Sequence, residues 1–275
     1  EEKIVRLEAE IAKAPKEMVP IMRAILADWY WHYFQRNRWR FMQRTATAQA
    51  PGKDFTTWDL TRLFAEIDKQ FTEALSAEEE LKKIPIGKWD ALLEKGTMPD
   101  AYRPTLYDFI AQEAIDFYSS GEQAGAKAED AFELSANSPV FAPVEQFLKW
   151  ELPKPDSLSP TLQALRLFQS LLRFHEKDQD QAAFLDVNLQ RLVFGNNKAF
   201  GEEKGARYKA ALKEFVDRWG DHEVSARARY HWALALRQED ELVEAHKLAQ
   251  QGAEAFPNAI GGRMCFNLMK QIEAP

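Results

Sequence analysis

Apolar residues recur at helical spacing along nearly the whole chain. Ile4, Leu7 and Ile11 mark a first amphipathic stripe, and the Pro15/Pro20 stretch separates it from a longer apolar helix over residues 21–44. After the small-residue loop T-A-T-A-Q-A-P-G-K (45–53), T-T-W-D-L predicts a helix start, with Thr56 or Thr57 as N-cap and Asp59 in the first turn. Leu60, Leu63, Phe64, Ile67, Phe71 and Leu75 then keep the i, i+3, i+4, i+7 rule over four turns. Trp89, Leu92 and Leu93 predict a shorter helix closed by Gly96. Pro104 reads as N1 before a helix over residues 106–119, whose core face is Leu106, Phe109, Ile110, Ile115 and Phe117 or their neighbours. Prolines 139, 143, 153, 155 and 160 interrupt the pattern, which places a connection near residues 151–159. Further helices follow at about 160–175, 180–195, 202–219, 223–238, 241–255 and 260–273. No segment has the period of a strand. The expectation is an all-α, solenoid-like array of antiparallel helix pairs in two blocks, 1–150 and 160–275.

Paired helices with short connectors raise the question of repeats. The clearest is the 34-residue window 226–259. Ala233 is followed twelve residues later by Ala245, seven further by Gly252 and five further by Pro257. Small residues at that spacing, with a closing proline, form the pattern of a tetratricopeptide repeat. Two helices approach closely only where side chains are small, and the proline ends the second. Trp232 and Leu236 supply bulk on the same face. The preceding unit repeats the layout loosely, with Trp219, Gly220 and Asp221 where the later one has Phe256, Pro257 and Asn258. The second block is therefore read as tetratricopeptide-like.

Composition narrows the function classes. The 275 residues carry a formal net charge of −7, which opposes the basic footprint that broad nucleic-acid binding needs. A single cysteine, Cys265, allows no intrachain disulfide. No apolar run approaches the length of a membrane span. Met264, Phe266, Leu268, Met269 and Ile272 make the last helix too apolar for a terminal cap facing water, so a following domain is expected.

The segment most like a site is D-W-Y-W-H-Y-F-Q-R-N-R-W-R-F-M-Q-R, residues 28–44, with seven aromatics and four arginines in seventeen positions. On a helix, Tyr30, Phe34, Asn37 and Phe41 form one line, Trp31, Arg38 and Met42 the next, and Trp29, Tyr33, Arg36, Arg40 and Arg44 a third. Aromatics so distributed predict a helix buried on two sides rather than a surface for stacking bases or sugars. His222-Glu223-Val224-Ser225-Ala226 stops short of H-E-x-x-H because Ala226 stands where the second ligand would be. The five histidines (32, 175, 222, 231, 246) show no other metal-ligand spacing. Cys265 lies among apolar neighbours and reads as a small hydrophobe. F-G-N-N-K-A-F-G-E-E-K-G lacks the phosphate-cradling pattern, and Gly195-Asn196-Asn197 reads as a helix C-cap and turn. Asp178 and Asp180 stand in a polar connector without a calcium loop. These readings nominate no catalytic, cofactor-binding or metal-binding residue, so a non-enzymatic chain without cofactor is expected.

The tail A-R-A-R-Y-H-W-A-L-A-L-R-Q-E-D-E-L-V-E-A-H-K-L-A-Q-Q-G-A-E-A-F-P-N-A-I-G-G-R-M-C-F-N-L-M-K-Q-I-E-A-P resembles the end of the N-terminal helical region of bacterial alpha-2-macroglobulin-like proteins. W-Y-W-H-Y-F-Q-R-N-R-W-R-F-M-Q-R-T and T-T-W-D-L-T-R-L-F resemble that region too. The resemblance implies an extracytoplasmic, periplasmic or cell-envelope protein, with a signal or lipid-anchor segment preceding Glu1 and macroglobulin domains following Pro275. The family traps proteases, and some members carry a thioester built on C-G-E-Q. Here Ser120, Gly121, Glu122 and Gln123 give serine in place of the cysteine, so no functional residue of the family carries over.

The expected function is thus a non-catalytic scaffold or protein-interaction domain whose partners are downstream macroglobulin domains and an envelope partner or protease. Two other readings stand beside it. A free-standing adaptor would bind peptides in a groove, and a carbohydrate-active helical enzyme would expose the aromatics of residues 28–44 opposite carboxylates.

Overall fold

The computed structural model describes residues 1–42, 52–94, 96–121, 132–153 and 159–274, and among these the protein is all-helical with no strand. The chain divides into two compact units. The first gathers Glu1–Lys95, Arg103–Ala131 and Pro155–Leu167, and the second Gly96–Tyr102, Phe132–Lys154 and Phe168–Pro275. Residues 96–102 and 132–153 thus belong with the second unit although they precede the expected connection, most of which (154–158) lies outside the described residues.

The first unit contains α1 (Glu2–Ile11), α2 (Val19–Arg36), α3 (Arg38–Met42), α4 (Leu60–Leu75), α5 (Glu78–Leu81) and α6 (Leu106–Ser119). α2 packs against α1, α4 and α6, which explains why apolar residues surround so much of it. Ile21, Ala24, Leu26, Ala27, Tyr30 and Phe34 are all buried there. The expected single helix over 21–44 breaks at Asn37, whose side-chain amide donates to the Tyr33 carbonyl at 2.9 Å. α4 buries the predicted stripe Leu60, Leu63, Phe64, Ile67 and Phe71.

Three predicted boundaries shift. Asp59, rather than a threonine, caps α4, accepting from the Arg62 amide at 2.8 Å, while Asp54 caps the preceding short 3-10 turn Phe55–Thr57. At α6 the N-cap is Thr105, which forms a reciprocal capping box with Asp108, so Pro104 stands before the cap and not at N1. On α6, Phe109 is only partly buried, and Tyr107, Ala111, Ala114 and Tyr118 join the other predicted core residues inside. The helix expected around Trp89, Leu92 and Leu93 is a 3-10 turn, Ile86–Trp89, followed by further turns, and Leu92 is exposed. Pro85 holds an extended conformation just before it, and three apolar residues without a facing groove do not sustain an α-helix.

The second unit holds α7 (Val144–Lys149), α9 (Ala182–Lys198), α10 (Lys204–Trp219), α11 (Val224–Gln238), α12 (Leu242–Ala255) and α13 (Ile260–Glu273). The residues of α8 (Pro160–His175) divide between the units. From α9 onward each helix packs on the next, and α11 touches α13 as well as α12. Small residues set these distances. Ala233, Ala245 and Ala249 are fully buried in one cluster with Cys265 and Leu268. A Cβ on Gly252 would stand 2.5 Å from the Cys265 sulfur, and one on Gly261 would stand 2.8 Å from the Ala226 carbonyl carbon. Gly195 is not a C-cap as the sequence predicted. It lies inside α9, where Phe141 and Val140 of the short turn Pro139–Phe141 pack directly on its backbone.

Candidate functional site

The aromatic segment is core along one line, with Trp29, Trp31 and Tyr33 half-buried beside it. Tyr30, Phe34 and Phe41, the first of its three lines, are buried. The Tyr30 ring meets Phe55 at 5.4 Å and Trp58 at 5.9 Å, and Phe34 meets Phe64 at 5.0 Å, mostly edge to face. The Tyr30 hydroxyl donates to Glu8, which ties α2 to α1. Trp39 at 66% and Met42 at 59% are its exposed large hydrophobic residues, both on α3. Arg44 lies outside the described residues.

The first unit nevertheless brings together a titratable group that sequence reasoning missed. Glu113 of α6 shares its surroundings with Asp28 and His32 of α2, Asp116 of α6, and Arg103. Burial is the main cause that pushes its carboxyl up to about 7, and the charges of Asp28 and Asp116 add to it, while Arg103 and His32 oppose. Burial also raises Asp28, against the hydrogen-bonded His32. Nothing local in Q-E-A-I-D marks Glu113, because its neighbours on α2 stand about eighty residues earlier in the chain.

In the second unit, the H-E pair of the incomplete zinc motif has structural work. The His222 Nδ1 accepts from the Val224 amide at 3.2 Å, and Glu223 accepts from the Tyr102 hydroxyl at 2.6 Å. One turn further along α11, Arg227 forms an ion pair with the fully buried Asp186 of α9, which also accepts from Gln190 at 2.7 Å. Burial, with the positive charge of Arg227 adding to it, pushes the His231 imidazole down to about 4. Asp186 of α9 and Glu223, Arg227 and His231 along and just before α11 therefore make one polar stripe, joined by Tyr102 of the 3-10 turn Asp100–Tyr102. Its members are largely matched donor to acceptor, as buried polar groups in a low-dielectric setting must be.

The remaining nominations resolve simply. Cys265 is buried, its thiol donates to the Ala226 carbonyl at 3.1 Å, and burial pushes it up to about 12. Asp178 pairs with His175 at 2.6 Å, and Asp180 accepts from the Ala182 amide at 2.9 Å at the start of α9. Ser120 and Gly121 end α6, with the Ser120 hydroxyl donating to the Phe117 carbonyl at 2.9 Å and Gly121 at φ 72°. Glu122 and Gln123 lie outside the described residues. Among the described residues, no His, Cys, Asp or Glu cluster has the geometry to hold a metal ion, and no helix is long and apolar enough to cross a membrane.

α9 holds a further buried polar group with no forecast from sequence, Arg191, inside the run F-L-D-V-N-L-Q-R-L-V-F. The available signal was there to read: polar residues set singly between apolar ones on a helix buried all round require internal partners.

No protein-family model, curated protein or solved structure matches this chain. The likeness to the alpha-2-macroglobulin-like family therefore rests on the quoted sequence phrases alone.

Proposed function

We propose that this chain is a non-catalytic helical scaffold that docks protein, in an extracytoplasmic bacterial protein of the alpha-2-macroglobulin-like class. The observation that carries the scaffold reading is the junction of α11, α12 and α13. Ala233, Ala245 and Gly252, at tetratricopeptide spacing, are all buried there, where the three helices come into near backbone contact. In such stacking each helix buries its apolar side only against its neighbours, and the faces left over line up as a surface for a protein partner. Tyr230, Leu234 and Leu236 of α11 remain partly accessible in this unit. The Asp186–Arg227 ion pair and the Tyr102–Glu223 hydrogen bond hold the array in register, which is a structural use of these groups.

The natural reading frame on both sides of residues 1–275 tests the class. A signal or lipid-anchor sequence upstream and a long β-rich region downstream support it, and fractionation of cells expressing that whole protein then finds it outside the cytoplasm. A start codon near Glu1 and a stop near Pro275 refute it. The chain is then a free-standing adaptor, and a peptide-binding screen replaces the envelope experiment.

A further inference from the structure

α13 is covered on one side. Gly261, Cys265 and Leu268 are buried where it packs against α11 and α12. On its outer side Arg263, Phe266, Lys270 and Glu273 stand at i, i+3, i+7 and i+10, a single stripe along the helix, and all four are exposed. Phe266 keeps 49% of its surface open. α12 continues this outer face, because Glu273 meets His246 of α12 at 2.9 Å and Lys270 at 2.7 Å. Val243, one turn before His246, is 80% exposed, the most open large apolar side chain among the described residues, and Leu242 beside it is exposed too. Single exposed apolar residues are ordinary, but these three border one face of two adjacent helices.

The charges on that face decide what fits it. Lys247, Arg263 and Lys270 stand against Glu244, Glu254 and Glu273, all exposed, so the face is balanced although the chain carries −7. Salt screens the excess charge elsewhere over about 8 Å. A strongly acidic or basic partner gains nothing here, whereas a face like itself does. The order of residues along α13 goes further. Arg263 and Glu273 lie equally far from Leu268 in opposite directions, and so do Phe266 and Lys270. Antiparallel pairing of α13 with a copy of itself about Leu268 sets Arg263 opposite Glu273 and Phe266 opposite Lys270, each twice. Lys270 already lies 5.7 Å from its own Phe266 ring, so cation and ring suit one another. Parallel pairing would set Arg263 on Arg263 and Glu273 on Glu273, which like charges oppose.

The size of the face sets the strength. Two adjacent helices of 14 residues each present about 21 Å by about 20 Å. That is roughly 400 Å² per copy and about 800 Å² in all, below the roughly 1,200–2,000 Å² of a standard stable complex. A weak, reversible pair follows, with a Kd on the order of 100 µM.

We infer that the outer face of α12 and α13 is a self-association surface, on which a second copy of this chain packs its own α13 antiparallel to the first. The pair is two-fold symmetric and closes on itself. Phe266 and Val243 supply the apolar contact, and Arg263 and Glu273 fix the register. The inference is independent of the docking role above, whose accessible residues Tyr230, Leu234 and Leu236 belong to α11.

Sedimentation velocity of the full chain from about 5 to about 500 µM, at about 0.15 M salt, tests it. The mean mass is expected to rise from one chain toward two across that range. Phe266→Asp is expected to weaken the pair about tenfold or more. Arg263→Glu and Glu273→Lys each set like charges opposite one another twice per pair, and each is expected to weaken it about fivefold. The double variant Arg263→Glu/Glu273→Lys exchanges the two charges and is expected to restore the parent affinity, which a merely sticky surface would not do. A chain that stays monomeric at the highest concentration, its outer face left for some other protein, overturns the inference. So does a dimer indifferent to Phe266→Asp, or a double variant as weak as the single reversals. Should Phe266→Asp fail to fold, the charge-exchange series decides alone.

Discussion

Gly261→Ala is the sharpest test of how the last three helices are assembled. Gly261 stands in the first turn of α13, against the backbone of α11. A Cβ added there would lie 2.8 Å from the Ala226 carbonyl carbon, closer still to the Arg227 nitrogen, and 2.8 Å from the Arg227 Cγ. Two of these atoms belong to a helix backbone and cannot swing aside. To restore ordinary carbon–carbon contact the helices must part by at least about 0.6 Å, and the whole buried cluster of Ala233, Ala245, Ala249, Cys265 and Leu268 opens with them. Overpacking against an immovable neighbour costs about 3 kcal/mol, the upper end of its usual range. Alanine returns about 1 kcal/mol through its better helix propensity. The net loss of roughly 2 kcal/mol lowers Tm by about 4–8 °C for a unit of this size. Thermal and urea unfolding followed by far-UV circular dichroism measure it. Gly87→Ala is the control, because a Cβ there meets nothing within 4 Å, and its effect is expected within about 0.5 kcal/mol. Should Gly261→Ala unfold at the same midpoint as the parent chain, the close approach of α13 to α11 is not what holds this junction.

Three further outcomes follow from the buried polar groups. The Glu113 carboxyl titrates near 7 in the folded chain against 4.5 as its ordinary value, so the folded state binds more protons between those limits and stability falls as pH rises through them. Glu113→Gln is expected to flatten that slope and to gain stability over the parent at pH 8, by at most about 3 kcal/mol, with the gain vanishing below about pH 4.5; equal pH profiles from urea titrations would refute it. Asp186→Asn breaks the buried pair with Arg227 and is expected to cost about 3–5 kcal/mol, much of it recovered in the double variant Asp186→Leu/Arg227→Met, and a single-variant loss below 1 kcal/mol would count against the pairing. The Cys265 thiol, buried and held far above neutral, is expected to resist a disulfide reagent in the native chain and to react at once in denaturant; fast native labelling would contradict its placement.

What could be read beforehand and what could not divide along a physical line. Apolar periodicity is a local signal, and it placed the buried face of α4 from Leu60 to Phe71 and the small-residue contacts of Ala233, Ala245 and Gly252. Helix ends were legible to within a few residues. Neighbouring polar side chains compete for the cap, so Asp59 caps α4 where Thr56 or Thr57 was expected, and Thr105 caps α6 one residue past the proline expected at N1. The segment around Trp89 shows the opposite failure, a helical pattern too short and too unsupported to become a helix.

Charge inside the core obeys a different rule. Asp186 finds Arg227 across 41 residues, Arg191 finds the Ala142 carbonyl across 49, and Tyr102 finds Glu223 across 121. No window of sequence contains both members of such a pair, so their burial in an acidic chain reads as surface until the helices converge. The same reasoning separates two kinds of buried group in the second unit. Asp186 and Arg227 meet as opposite charges and need nothing more. Arg191 hydrogen-bonds only neutral oxygens, and the Glu214 carboxylate lines the small cavity beside it. The carboxylates of Glu214 and Glu145 offset part of the cost of that charge. That offset is only partial, so Arg191→Met, with its apolar neighbours Phe147 and Leu192, would stabilise the chain and not weaken it.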